Sequence, residues 1–305
     1  MSLVIDRSTP FILLQDRGRF GCRHLGVTQG GALDWVSMGW ANWMLGNPLD
    51  AAVVEIGLGA FNLTCQRDGS LAIAGADLGA TLDGQPLPAW GAFKVRIGQR
   101  LAFAHPRQGA RAYLAAPDGF LGERQLGSLS TVAREELGGL NANGKALAIG
   151  DQLHWQGDAP QVRNMPRAQI PDFSADARLE LILGAQIGDF SGQSLFDAFN
   201  NQWTVDTRAD RMGVRLLGPK LECRTQSMIS EGISLGAVQV PPDGQPIALL
   251  NDRQTIGGYP RLGALTPLAV ARLAQCLPGA KLHFAPTVQE AAHQEHRKAL
   301  TGWWS

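Results

Sequence analysis

Gly236-Ala237-Val238-Gln239-Val240-Pro241-Pro242-Asp243-Gly244-Gln245-Pro246-Ile247-Ala248-Leu249-Leu250 carries the pattern that marks the chain as mainly β. Two apolar runs, 237–240 and 247–250, flank a turn that contains Asp243-Gly244. Asp and Gly tolerate positive φ, so this pair is a strong hairpin signal. The tetrapeptide Asp-Gly-Gln-Pro recurs at 83–86, again between apolar runs. It reads either as a trace of two related halves or as two independent hairpins. Further short apolar runs lie over 11–15, 52–58, 61–65, 71–75, 93–97, 101–104, 110–115, 179–183, 214–217 and 281–284. Turn residues separate them at hairpin-like spacing. Composition agrees: 37 glycines and 17 prolines in 305 residues exceed the ordinary combined usage of about 12%, with no Gly-X-Y period.

Few helices are expected. Asp34 caps one over 35–45, with Trp35, Met38, Asn42 and Leu45 on one stripe and Gly46-Asn47-Pro48 as its stop. Thr266 caps a second, with Pro267 in its first turn and its end near Leu277. Thr287 and Glu290 form a capping box for a third, which runs toward Trp303 and Trp304. Those two aromatics either dock on the chain's own body or mark a partner contact. The stretch 157–174 contains Pro160, Pro166 and Pro171 and little apolar periodicity. It divides the chain into a β-rich lobe over 1–160 and a second over 161–305 that ends in the third helix.

Several function classes drop out. Lys+Arg and Asp+Glu number 27 each, which argues against a broad nucleic-acid or membrane-surface footprint. No apolar run approaches the ~20 residues of a membrane span. The start MSLVIDRSTPF carries Asp6 and Arg7 early and lacks the apolar segment of an export signal. Cys22, Cys65, Cys223 and Cys276 are far apart without a C-x-x-C pair, so reduced thiols in a cytoplasmic protein are expected. The histidines show no zinc-ligand spacing, and no metal site is expected. Gly127-Ser128-Leu129-Ser130-Thr131 is not the G-x-S-x-G of a nucleophile elbow.

Three constellations carry chemistry. Asn251-Asp252-Arg253-Gln254-Thr255-Ile256-Gly257-Gly258-Tyr259-Pro260 offers a carboxylate, a guanidinium, amides, a hydroxyl and a phenol after an apolar run. Its glycine pair lets backbone N–H groups approach a ligand. The stretch reads equally as an anion-binding loop or as a glycine-rich turn with solvated polar residues. Gly26-Val27-Thr28-Gln29-Gly30-Gly31-Ala32-Leu33-Asp34 leads into the first helix, where an anion can bind. It lacks the Lys-Ser/Thr pair of a P-loop, and a structural turn is the stronger reading. Arg208-Ala209-Asp210-Arg211-Met212-Gly213-Val214-Arg215-Leu216 could clamp a carboxylate or phosphate, or could be a surface strand with internal ion pairs.

Taken in order, these blocks resemble the family of allophanate hydrolase subunit 2, KipA and the C-type subunit of bacterial 5-oxoprolinase, whose carboxyltransferase-type domain also occurs in urea carboxylase. The resemblance runs through 26–34, ANWMLGNP at 41–48, 55–59, AGADL at 74–78, GARAYLA at 109–115 and GSLST at 127–131. It continues through RMGVRL at 211–216, SMISEG at 227–232, GAVQVPPDGQP at 236–246 and 251–260. Collinear coverage extends from about Phe11 to Ala292. Departures are Ala269, where the family usually has Asp, Leu129, where it often has Arg, and Pro117-Asp118-Gly119, where it tends to have Gly-Gly.

The resemblance implies a mainly β architecture of two lobes, at least one a cyclophilin-like barrel, here placed in the C-terminal lobe. It implies a subunit of an ATP-dependent 5-oxoprolinase that opens 5-oxoproline to glutamate, inactive alone. The partners it implies are a KipI-like, subunit 1-type protein and a LamB/YcsF-like third subunit. ATP with Mg is then a co-substrate of the complex, and no covalent biotin is expected on this chain. Within the matching motifs, Asp252, Gln254, Thr255 and Tyr259 are the candidate catalytic residues. Arg211, Arg215, Arg253, Gly257, Gly258, Thr28, Gly30 and Gly31 are the candidate substrate-binding residues. Asp252 is expected to orient Arg253 or assist proton transfer. Two other functions share the resemblance: a KipA-type regulator that sequesters a kinase-inhibiting partner, and the carboxyltransferase half of a biotin-dependent enzyme.

Overall fold

The computed structural model describes residues 3–158, 162–225 and 227–302. The chain falls into two compact units, Met1–Cys22 with Gln29–Ser174, and Arg23–Thr28 with Ala175–Ser305. Pro160, the 160/161 boundary, and Trp303 and Trp304 lie outside the described residues.

In the first unit the elements are β1 (Leu3–Arg7), β2 (Ile12–Gln15), α1 (Trp35–Met44), β3 (Val53–Gly57), β4 (Phe61–Cys65), β5 (Gly69–Asp77), β6 (Thr81–Leu82), β7 (Gln85–Pro86), β8 (Gly91–Val95), β9 (Arg100–Phe103), β10 (Gln108–Ala115) and β11 (Gln152–Leu153). They form two antiparallel sheets, ordered β11-β1-β4-β9-β6-β7 and β2-β3-β10-β5-β8. One apolar cluster draws on both: Leu3, Phe61, Leu63 and Leu101 from the first, and Ile12, Val54, Ile73 and Leu114 from the second. Burial of this kind stabilises by about 25 cal/mol per Å² of apolar surface removed from water. α1 packs on β5 and β10, and its N-cap Asp34 accepts from the Ser37 N–H at 3.0 Å, as the sequence leads one to expect.

The second unit contains β12 (Ala177–Leu183), α2 (Gly192–Asn200), β13 (Trp203–Val205), β14 (Gly213–Leu217), β15 (Glu231–Gly232), β16 (Ala237–Gln239), β17 (Ile247–Leu249), β18 (Ile256–Gly257), β19 (Arg261–Leu265), α3 (Pro267–Leu273), β20 (Lys281–Thr287) and α4 (Gln289–Thr301). Seven strands close a barrel in the order β12-β19-β16-β17-β14-β13-β20. The β12–β20 pair is parallel and the rest are antiparallel. Closure removes the exposed edges that an open sheet would present. β15 and β18 form a separate two-stranded ribbon.

The structure corrects several sequence-based expectations. Thr287 does not cap the last helix. It ends β20, paired with Ile182 of β12, and Val288 takes the cap position without a side-chain bond. α3 stops at Leu273, short of Leu277. α2 is an additional helix, which Ser191 caps through the Ser194 N–H. The repeated tetrapeptide builds two unlike turns. Asp83 and Gly84 both take positive φ (50° and 79°) and are the whole connection between β6 and β7. Asp243 and Gly244 sit instead within the longer connection 240–246, where only Gly244 has positive φ. The shared tetrapeptide therefore reflects two independent hairpins.

Candidate functional site

In the second unit the loop 251–260 follows β17 and supplies β18. Backbone bonds fix its start: Leu250 N–H donates to Met212 O at 2.8 Å, and Asp252 N–H to Arg211 O at 3.0 Å. These bonds bring the Arg211 side chain onto Asp252. Arg211 Nε donates to Oδ2 at 2.8 Å and Nη2 to Oδ1 at 3.0 Å, a bidentate fork that fixes both groups. Asp252 thus orients Arg211 directly. The next residue, Arg253, is only 2% exposed. Its Nε donates to Ile233 O at 3.2 Å and its Nη1 to Leu250 O at 3.2 Å. Burial pushes its guanidinium down to about 9, the neighbouring Arg23 cation adds to the fall, and Asp252 opposes it.

Arg23, on the segment Arg23–Thr28 that clusters with this unit, stands outside the residues that the motifs single out. Its Nη2 donates to Ile233 O at 2.7 Å, Thr255 O at 3.1 Å and Gln254 O at 3.4 Å. Two guanidiniums therefore share the single carbonyl of Ile233. Thr28, fully buried, donates from Oγ1 to Arg253 O at 3.5 Å. Carbonyls are partial charges, so neither arginine is neutralised by these bonds.

The remaining candidates divide. Gln254 and Thr255 are half-buried beside this cluster, and their carbonyls receive Arg23. Gly257 leaves room that no other residue would: an ideal Cβ there lies 2.5 Å from Ile233 Cδ1 and 3.1 Å from Gln239 Nε2. A Cβ on Gly258 lies 2.6 Å from Met228 O, whose own N–H donates to Gly258 O at 2.8 Å. Tyr259 is 44% exposed. Arg215 is bound by Asp243 of the 240–246 connection, so its charge is met there. Among the described residues no group of three or more His, Cys, Asp or Glu could hold a metal ion.

Gly30 and Gly31 belong to the first unit, where backbone geometry demands them. Both have positive φ (67° and 100°), and an added Cβ lies 2.9 Å from Val132 Cγ2 or 2.8 Å from Arg17 O, respectively. The donors that follow are taken by the protein itself. Leu33 N–H donates to Glu55 Oε2 at 2.9 Å, and Asp34 N–H to the Tyr113 hydroxyl at 2.8 Å. That hydroxyl in turn donates to Glu55 Oε2 at 2.9 Å. Nearby, Asp16 accepts from the Gly18 N–H, the Ser128 and Ser130 hydroxyls and the Leu129 N–H, at 2.6–2.8 Å. The GSLST block is thus a cage for a buried carboxylate. Leu129 itself is core, 2% exposed.

A mainly β chain with a closed barrel and a desolvated cation cluster has close counterparts. The family described as carboxyltransferase domain, subdomain A and B, matches residues 25–286, and the chain belongs to that family. It is 35% identical over 289 residues to the C-type subunit of the 5-oxoprolinase of Haemophilus influenzae, covering 94% of this chain and 92% of that protein. To the corresponding C-type subunit of the Escherichia coli 5-oxoprolinase it is 34% identical over 292 residues, 95% of this chain and 93% of that one. Among solved structures, the Kluyveromyces lactis urea amidolyase superimposes with a TM-score of 0.93 at 24% identity, over 99% of this chain. The chain spans 20% of the length of that protein, and the match shows the shared fold.

Proposed function

We propose that this chain is the C-type subunit of an ATP-dependent 5-oxoprolinase. The observation that supports the reading is Arg253: a cation buried to 2% exposure, held only by carbonyls and set beside Arg23. A fully buried cation beside a half-buried one attracts a small anion. 5-Oxoproline offers a carboxylate, a lactam oxygen and a lactam N–H. Its amide carbon is a poor electrophile. Transfer of the ATP γ-phosphoryl to the lactam oxygen, with ADP leaving, makes the ring carbon electrophilic; water adds there, the C–N bond breaks as nitrogen takes a proton, and hydrolysis of the resulting γ-glutamyl phosphate gives glutamate and phosphate. Donors aimed at the developing charge lower that barrier. In this scheme Arg253 holds the carboxylate, Arg211 is positioned by Asp252, and Gln254, Thr255, Tyr259 and the Gly257 and Gly258 amides are the neutral donors. ATP with Mg is a co-substrate of the complex. The partners are a KipI-like subunit 1-type protein and a LamB/YcsF-like third subunit, with the chain inactive alone.

The family description favours one second reading, a biotin-dependent carboxyltransferase. The sequence carries no Met-Lys-Met biotinylation motif, so carboxybiotin would come from another chain. Co-expression with both partners, followed by an ATP hydrolysis assay, separates the readings. ATP turnover that depends on 5-oxoproline supports the first. Its absence with all partners present, together with carboxyl transfer from added carboxybiotin, replaces it with the second. Partner binding without either activity leaves a KipA-type regulator.

A further inference from the structure

Among the described residues of the second unit, two buried donors beside Ile233, from Gln239 and Arg23, have no acceptor. Gln239, on β16, is 3% exposed, and its Nε2 is buried without a hydrogen-bond partner. Arg23 Nη1 is likewise buried and unpartnered, although its Nη2 reaches three carbonyls. Buried donors are nearly always paired, and leaving one unpaired is costly. Ile233 links the two side chains: its carbonyl receives Arg23 Nη2, and its Cδ1 stands with Gln239 Nε2 at the Gly257 position. Ile233 O receives Arg23 and Arg253, and Ile233 Cδ1 reaches the space above Gly257. Gln239 Nε2 and Gln254 Nε2 lie 3.1 and 3.6 Å from the point where a Gly257 Cβ would stand.

Charge counting points the same way. Arg211 and Asp252 form an ion pair, whereas among the described residues Arg23 and Arg253 hydrogen-bond only to carbonyls, with Asp252 acting on Arg253 through space, so positive charge is in excess at this spot. A place built of N–H donors and positive charge, with a glycine where any Cβ would crowd Ile233 and Gln239, lacks one component, an oxyanion. The guanidiniums have already spent several N–H vertices on carbonyls, so few donors remain. That suits the two coplanar oxygens of a carboxylate better than the tetrahedral set of a phosphate.

We infer that Gln239, Arg23 and Arg253 form a pocket for the carboxylate of a small organic acid, with Gln239 as its specificity-determining amide. Only the choice of 5-oxoproline as probe rests on the function proposed above. Titration calorimetry on the full chain, and KM on the assembled complex, test the pocket with L-5-oxoproline, acetate and the neutral lactam 2-pyrrolidinone. The expected order is 5-oxoproline tightest, acetate weaker, and 2-pyrrolidinone at least about tenfold weaker than 5-oxoproline. Gln239→Leu weakens 5-oxoproline about tenfold, in Kd or in KM. Gln239→Glu supplies an internal carboxylate, so the free protein melts at higher temperature and the response to added carboxylate disappears. A lower melting temperature for Gln239→Glu marks Gln239 as merely a packed amide and overturns the pocket. Equal binding of 5-oxoproline and 2-pyrrolidinone overturns it too. If the complex turns over 5-oxoproline with a KM unaltered by Gln239→Leu, the pocket is wrong and the enzyme reading stands. If acetate binds and Gln239→Leu abolishes it, but the complex ignores 5-oxoproline, the pocket stands and the enzyme reading is wrong.

Discussion

Two glycine-rich regions look alike as sequence and behave oppositely as structure. Around Gly30-Gly31 in the first unit, the N–H groups of Leu33 and Asp34 end on Glu55 and Tyr113, and Asp16 takes two hydroxyls, two amides and the Arg124 guanidinium at 3.3 Å. Around Gly257-Gly258 in the second unit, Gln239 Nε2 and Arg23 Nη1 end on nothing among the described residues, and Arg253 has only carbonyls. Glycines admit close approach in both places. What distinguishes a binding region is whether its donors are already spent.

The contrast can be broken most forcefully at Asp16. Asp16→Ala leaves two buried hydroxyls and two amides without an acceptor, and chemical denaturation is expected to show a loss of about 3–5 kcal/mol. A loss below about 1 kcal/mol would mean the first region is not held by that cage. Tyr113→Phe removes the group linking the Asp34 N–H to Glu55 and is expected to cost about 1–3 kcal/mol, while carboxylate binding by the same variant stays at the wild-type level. Gly257→Ala should do the reverse. Its methyl meets the terminal Cδ1 of Ile233, which a rotamer change can move aside, so unfolding free energy changes by less than about 1 kcal/mol, yet carboxylate affinity falls about tenfold.

The smallest effect is in pH. Burial, then Glu55 and Asp34, raise the Tyr113 phenol well above its ordinary value, against a weaker opposing pull from Arg111. Below about pH 10 both folded and unfolded states keep the proton, so the phenol adds no pH dependence. Above about pH 10 the unfolded chain loses it and the folded chain retains it, so stability falls as pH rises. The stability gap between wild type and Tyr113→Phe should therefore narrow above about pH 10. A gap that stays constant to about pH 11 in urea titrations would place Tyr113 in a wetter setting.

Much of the fold was legible because its signals are local. Asp34 ahead of Trp35, the Asp-Gly turns and the short apolar runs each announce an element within a few residues. Thr287 misled because its strand pairing with Ile182, a tertiary contact, outweighs a local capping pattern. The Arg211-to-Asp252 pair was half legible: both residues stood in noted motifs, but their pairing depends on backbone bonds across 41 positions. Arg23 was not legible at all, since it meets Ile233 across 210 residues of sequence. Gln239 carried one signal, an amide inside the apolar run Ala237-Val238-Gln239-Val240, and a buried strand amide asks what it binds.

The unspent cations of the second unit, on this account, hold the substrate's carboxylate. The most direct measurement is kcat/KM for 5-oxoproline-dependent ATP hydrolysis by the assembled complex with Arg253→Met, with thermal unfolding run alongside to check the fold. A loss of roughly 10- to 100-fold is expected, the worth of one charge-assisted bond, carried mainly by KM. A folded Arg253→Met complex whose kcat/KM stays within about twofold of wild type, less than about 0.5 kcal/mol, would contradict it.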